Sequence, residues 1–173
     1  MATNLEFINS FEITSSTSAF NCDNIFSADY DVYEIYIRNL ATVGTLETSL
    51  YFRFIDSGGS VINGTTYDYA YLNMKANTSF LESRSTTASF IRVGSFDRPP
   101  EGSNGKFVIY NPYDSSSYTF LQAQASVRAA GIFVGYKAIG VEHTAQSVRG
   151  IQILEPNVRP FDEGNISVYG VKG

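Results

Sequence analysis

The sequence predicts an all-β protein: an antiparallel, jelly-roll-like β-sandwich made by a single domain that spans residues 1–173. Three observations lead to this prediction. The chain contains 12 tyrosines and 13 phenylalanines, and aromatic residues favour strands. Hydrophobic and polar residues alternate in many segments, as in strands with one buried face. Turn-forming Gly, Ser, Asn and Pro separate these segments, and helical periodicity is almost absent.

The predicted strands follow one another along the chain. In residues 32–38, Tyr33, Ile35 and Ile37 share one face, and more polar residues occupy the other. Similar patterns predict about nine or ten strands. They lie near residues 7–14, 32–38, 49–56, 67–75, 88–93, 105–110, 117–128, 132–139, 147–154 and 166–171.

Turns and loops separate these strands. Residues 56–60, Asp-Ser-Gly-Gly-Ser, are typical of a tight turn. Residues 96–105, which contain Pro-Pro and two glycines, predict an exposed loop, and residues 158–164 predict a second one. Residues 122–130 are rich in Ala and Gln and fit either a strand or a short helical turn. We favour a strand because Gly131 and the β-rich run Ile132-Phe133-Val134 follow directly.

The sequence predicts a paired strand at the C-terminal end and an attachment segment at the N-terminal end. Residues 164–173 alternate and include Val168-Tyr169-Gly170, so we expect a strand that is paired in a sheet, because unpaired chain ends fray. We also expect this strand to close the domain. A short N-terminal segment, about residues 1–6, is expected to serve attachment.

Composition and charge exclude several function classes. The net charge is −5, and lysines and arginines are scattered singly, so no nucleic-acid partner is expected. No signal-peptide pattern and no apolar run of about 20 residues occurs, so no membrane insertion is expected. We expect a soluble protein that is made in a cytoplasm.

Catalytic and metal-binding patterns are sparse. His143 is the only histidine, and the Gly-x-Ser-x-Gly pattern of many serine hydrolases is absent, so we interpret His143 as a surface residue. A hydrolase that uses His143 or a carboxylate pair is the alternative. Cys22 is the only cysteine, which excludes an intramolecular disulfide and a multi-cysteine zinc site. We predict no catalytic residues, no cofactor and no metal.

The acidic clusters and the glycosylation patterns have structural or chance explanations. Carboxylates cluster in predicted turns at Asp23, Asp29 and Asp31, at Asp97 and Glu101, and at Asp162 and Glu163. Asp is favoured in turns whatever the function, so a glycosidase pair and a Ca²⁺ site remain the less favoured interpretations. The acceptor patterns at Asn63, Asn77 and Asn165 are expected by chance in a chain rich in Asn, Ser and Thr.

Tyr67, Tyr69 and Tyr71 lie on one face of a predicted strand because they are spaced two residues apart. On an inward face they would belong to the core, which is the interpretation we favour. On an outward face they would form a stacking platform for sugar rings or for a protein partner.

Five segments together resemble a module found in structural proteins of tailed bacteriophages, especially marine and cyanobacterial ones. They are residues 29–37 (DYDVYEIYI), 50–59 (LYFRFIDSGG), 67–69 (YDY), 148–153 (VRGIQI) and 164–170 (GNISVYG). The segments keep their order and span most of the chain. The resemblance implies a β-sandwich virion component, often tail-fibre-like, with no enzymatic role.

The leading expectation is therefore a non-enzymatic virion structural protein, a tail-associated fibre, tip or host-contact subunit. A capsid decoration (cement or knob) protein is the alternative, because no heptad segment could form a fibre shaft. A carbohydrate-binding module that recognises a host surface glycan is a further alternative. The resemblance also implies partners among the other tail or capsid proteins, and a homo-oligomer, with a trimer favoured.

Overall fold

The computed structural model describes residues 4–14, 17–44, 47–77 and 80–172. These residues form twelve strands. The strands are β1 (Leu5–Ile13), β2 (Ala19–Cys22), β3 (Val32–Thr42), β4 (Thr48–Asp56), β5 (Tyr67–Lys75), β6 (Leu81–Ala88), β7 (Ile91–Phe96), β8 (Ser103–Tyr110), β9 (Thr119–Ala129), β10 (Ile132–Glu142), β11 (Val148–Leu154) and β12 (Phe161–Val171). Within these ranges there is no helix long and apolar enough to cross a membrane.

The strands form two antiparallel sheets that pack face to face. The large sheet has eight strands in the order β1-β12-β3-β8-β9-β10-β5-β6, and the small sheet has four in the order β2-β11-β4-β7. Strand β7 of the small sheet lies across β9, β10 and β5 of the large sheet. The predicted all-β, jelly-roll-like sandwich is confirmed.

The core lies between the two sheets and is rich in aromatic rings. Phe52 of the small sheet meets Phe107 of the large sheet with ring centroids 4.7 Å apart, and Phe96 meets Phe161 at 5.5 Å. All four rings are fully buried. Burial of a side chain this large stabilises the fold by about 1.5–3 kcal/mol, so these contacts hold the sheets together.

Residues 122–130, which fitted strand or helix, belong to a strand through Ala129. Leu121, Ala123 and Ala125 face the core, and the residues between them face outward. The small alanines let the sheets approach, since a Cβ built on Gly94 of β7 would lie 3.5 Å from that of Ala125. The prediction of a strand here is confirmed.

Strand β12 confirms that the C-terminal segment is paired, because it lies between β1 and β3. It begins earlier than predicted: Phe161, placed in the loop 158–164, is fully buried, and its amide donates to the Thr17 carbonyl at 2.9 Å. At the other end, residues 1–3 lie outside the described residues. Leu5 and Glu6 pair with β12, so this part of the predicted attachment segment belongs to the large sheet.

Some strand boundaries differ from the prediction. The strand predicted at 88–93 is wrong, because Ala88 ends β6 and Ile91 begins β7. Strand β6 was missed: it is an edge strand, largely exposed, and its polar sequence lacks a hydrophobic alternation. Strand β2 was missed because it has only four residues. The loop predicted at 96–105 is shorter and covers residues 97–102.

Candidate functional site

The large sheet has one face packed on the small sheet and an opposite, outer face. On the outer face of β8, β9, β10, β5 and β6, neighbouring side chains line a continuous depression, which we call the outer groove. Its two halves have volumes of about 610 Å³ and about 660 Å³, and both halves include Gln122, Ile139, Ala70 and Arg84. Five strands spaced about 4.8 Å apart make the groove about 19 Å wide.

The antiparallel register decides which side chains meet in the groove, because directly opposed residues have Cβ atoms about 4.5–5.5 Å apart. A charged row crosses the five strands through Lys106, Gln124, Lys137, Leu72 and Glu82. A middle row consists of Val108, Gln122, Ile139, Ala70 and Arg84. A third row contains Phe120, Val141 and Asp68, and Tyr110 lies next to Phe120 on β8, outside the groove lining.

Exposed apolar groups lie at the third row and beside it. The side chain of Ile139 is 60% exposed and that of Phe120 is 43% exposed, although both belong to regular strands. Tyr110 lies opposite Phe120 on the neighbouring strand. Phe120 and Ile139 therefore give this end of the groove an exposed apolar surface.

The charged row carries one lysine on each side of Gln124, Lys106 on β8 and Lys137 on β10. The Lys106 ammonium lies 2.5 Å from Glu34 Oε1 and 5.6 Å from the ring centroid of Tyr36. The hydrogen bond to Glu34 raises the pKa of Lys106, so its charge is fixed. Lys137 is exposed, and no carboxylate of the described residues lies within ion-pair distance of it.

Arg84 and Glu82 occupy the β6 edge of the groove. Their side chains are 84% and 81% exposed, and the closest charged atoms are 3.9 Å apart. An ion pair this exposed contributes little to stability. Both side chains are therefore free to rearrange around a ligand.

The tyrosine row does not contribute to the groove as a stacking platform. Tyr67 is fully buried, Tyr71 is 5% exposed, and Tyr69 is half-buried against the core. The preferred inward interpretation is confirmed. The outward platform on Tyr67, Tyr69 and Tyr71 is wrong, because the small sheet covers this face of β5.

His143 follows directly after β10, and its Nδ1 lies 3.2 Å from Asp68 Oδ1. Asp68 also lines the groove beside Val141. The imidazole is 36% exposed, in agreement with a surface residue. Among the side-chain contacts of the described residues, no hydroxyl completes a Ser-His-Asp arrangement with this pair.

Asp23, Asp97 and Glu101 of the predicted acidic clusters make structural contacts. Asp23 accepts from Arg149 Nε at 2.8 Å and Nη2 at 2.5 Å. Asp97 is 2% exposed and accepts from the amide of Ala130 at 3.0 Å. Glu101 pairs with Arg128 at 2.5 Å. In the part of the chain that the structure describes, no group of three His, Cys, Asp or Glu residues could hold a metal ion.

The remaining candidates lie away from the groove. Cys22 is fully buried, and burial raises the pKa of its thiol to about 12, so the sulfur is unreactive in the folded chain. Asn63 and Asn165 are exposed. The third acceptor pattern contains Thr78 and Ser79, which lie outside the described residues.

Sequence reasoning missed the outer groove. The outward positions of β9, from Phe120 to Gln124, could be read from the alternation, but they looked like an ordinary solvent-facing row. The pairing of β9 with β8 and β10, and of β10 with β5, brings the groove residues together. A search for outward apolar residues on neighbouring predicted strands would have pointed to Phe120 and Ile139.

No protein-family model matches this chain, and a search of curated proteins finds no significant match. Weak similarities to solved structures exist. The β-fructofuranosidase from Schwanniomyces occidentalis aligns over 98% of this chain at 10% identity, with a TM-score of 0.27, and the chain spans 35% of that protein. The laminarinase catalytic domain from Thermotoga maritima aligns over 90% of this chain and 69% of its own length, at 9% identity and a TM-score of 0.24. The infectious bursal disease virus Gt strain structure aligns over 95% of this chain and 40% of its own, at 12% identity and a TM-score of 0.16.

Proposed function

We propose that this chain is a non-enzymatic structural protein of a tailed-bacteriophage virion, a tail-associated fibre or tip subunit that contacts the host surface. The phage assignment is supported by the resemblance of its sequence segments. The host-contact role is supported by one structural observation, the outer groove. Homo-oligomerisation, with a trimer favoured, is part of the same proposal.

The groove suits contact with a host surface for two physical reasons. It is built on regular strands, so its backbone is held by the sheet and loses little conformational entropy on binding. It also combines exposed apolar groups, such as Ile139 and Phe120, with the amides of Gln122 and Gln124. Surface glycans offer the matching combination of apolar ring faces and hydroxyl groups.

The location of the subunit is the first test. Antibodies raised against the purified chain are applied to intact particles of the encoding phage and detected by immunogold electron microscopy. Gold at the tail supports the proposal. Gold on the head contradicts it in favour of a decoration protein, and gold on neither intact nor disrupted particles contradicts any virion role.

Light scattering of the purified chain tests the oligomer, and a stable monomer contradicts the trimer.

Host contact is tested by competition. Purified chain added to host cells before infection is expected to reduce phage adsorption. The double variant Phe120→Asp and Ile139→Asp is expected to lose this effect, because it places charges on the apolar part of the groove. Val158→Asp is the control, because Val158 is 78% exposed in the loop between β11 and β12, outside the groove. Equal competition by both variants contradicts the role of the groove.

A further inference from the structure

We infer that the outer groove binds an acidic polysaccharide, with sugar rings on its apolar rows and carboxylate groups at its lysine row. This inference rests on the proposed host-contact role and specifies the chemical class of the ligand. It follows from the distribution of charge, the spacing of the lysines and the position of the apolar groups in the groove.

Charge is the first argument. The chain carries a net charge of −5, and its outer groove is lined by three cations, Arg84, Lys106 and Lys137, and by two carboxylates, Glu82 and Asp68. Glu34 balances Lys106, and Glu82 lies 3.9 Å from Arg84, so Lys137 is the positive charge of the charged row that remains for a ligand. A complementary ligand is anionic, since like charges brought together on binding would cost free energy.

The spacing of the cations is the second argument. Lys106, Gln124 and Lys137 lie opposite one another on three neighbouring strands, so the two lysine Cβ atoms are about 10 Å apart with an amide between them. Lys106 is held by Glu34, whereas Lys137 has no partner carboxylate in the described part of the chain. Lys137 is thus the group most available to bind an anion.

The apolar rows are the third argument, because apolar surface favours an acidic polysaccharide over a simple polyanion. Gln122 and Ile139 lie side by side next to the charged row, and Phe120 lies opposite Val141 in the row beyond. A pyranose ring can pack its apolar face on Ile139 or Phe120 and share its hydroxyls with Gln122. A carboxylate on the same ring or its neighbour then reaches Lys137.

The experiment measures binding by titration calorimetry at low salt, using hexagalacturonate as the acidic probe and cellohexaose as a neutral probe of equal length. Binding to hexagalacturonate is expected, with cellohexaose at least tenfold weaker. Lys137→Gln is expected to weaken hexagalacturonate binding about tenfold, because a hydrogen bond to a charged group is lost. Lys172→Gln is the control for the loss of one charge, since Lys172 pairs with Glu6 outside the groove, and it is expected to leave binding unchanged.

Three results would overturn the inference. Cellohexaose binding as tightly as hexagalacturonate would exclude an acidic ligand while leaving host contact intact, because phage adsorption is tested separately. An unchanged affinity in Lys137→Gln would remove the proposed anion site. A single-stranded DNA oligomer that binds equally tightly, with the same dependence on Lys137, would show a nonspecific polyanion surface. Circular dichroism of each variant confirms that it is folded.

Discussion

Replacing Tyr67 by phenylalanine removes one hydroxyl group from the interior of the sandwich. In the native chain this hydroxyl accepts from the amide of Phe54 at 3.0 Å and donates to the carbonyl of Ile62 at 2.9 Å. Tyr67 is fully buried, and burial raises the pKa of Tyr67 well above its usual value, so the hydroxyl remains protonated. It fastens β5 to β4 and to the segment that follows the turn after β4.

The cost of Tyr67→Phe follows from the two backbone groups that lose a partner. A buried polar group left without a hydrogen bond costs about 1–3 kcal/mol. The buried amide of Phe54 and the part-buried carbonyl of Ile62 together give an expected loss of about 3 kcal/mol in the free energy of unfolding. For a chain of this length that corresponds to a fall of about 6–12 °C in Tm.

Tyr69→Phe is the matched control, because it also removes one tyrosine hydroxyl from β5. Tyr69 is half-buried, and its hydroxyl lies 3.4 Å from Ser83 Oγ, so the expected loss is less than about 1 kcal/mol. Urea unfolding followed by far-UV circular dichroism measures both variants. Equal losses in the two variants, or a loss below about 1 kcal/mol for Tyr67→Phe, would refute the reasoning.

Two further predictions concern the contact between β2 and β11. Gly150→Ala is expected to destabilise the chain by about 1–3 kcal/mol in urea unfolding, because the new Cβ would lie 2.4 Å from the Cys22 carbonyl oxygen. Gly64→Ala is the control: its Cβ would have no neighbour closer than 3.8 Å, so it is expected to change stability by less than about 0.5 kcal/mol. Similar losses of stability in the two variants would contradict the argument. The hydrogen bonds from Arg149 hold the pKa of the Asp23 carboxyl below its usual range, so the ion pair contributes stability above the unfolded pKa of about 3.9, and this contribution is lost as the pH falls through the lower, folded pKa. Asp23→Asn is therefore expected to cost about 1 kcal/mol at pH 7 and almost nothing near pH 2, and a pH-independent difference would count against this account.

The sequence predicted most of the fold because strand alternation is a local property. Tyr33, Ile35 and Ile37 were assigned to one face, and all three are buried in β3. The exceptions have local causes as well. Strand β6 is a polar edge strand, and its hydrogen bonds to β5 give it structure without a hydrophobic pattern.

The candidate site could not be predicted from strand alternation alone. Lys106 and Lys137 are solvent-facing residues of different hairpins, and nothing in either segment relates one to the other. They flank Gln124 only because β9 pairs with β8 on one side and with β10 on the other. The other side of the groove depends on the pairing of β10 with β5, which is distant in sequence, so the groove has no continuous signature in the chain.

The sequence alone determined that the chain folds into strands and which residues of a strand share a face, because side chains alternate with a period of two. It placed Tyr67, Tyr69 and Tyr71 together. Only the tertiary structure decided that this face is the buried one, since β7 packs against it, and that the opposite face, with Ile139 and Lys137, is left as an open groove. Alternation divides the residues of a strand between two faces without deciding which face is buried. The packing of the second sheet selects the face that becomes core.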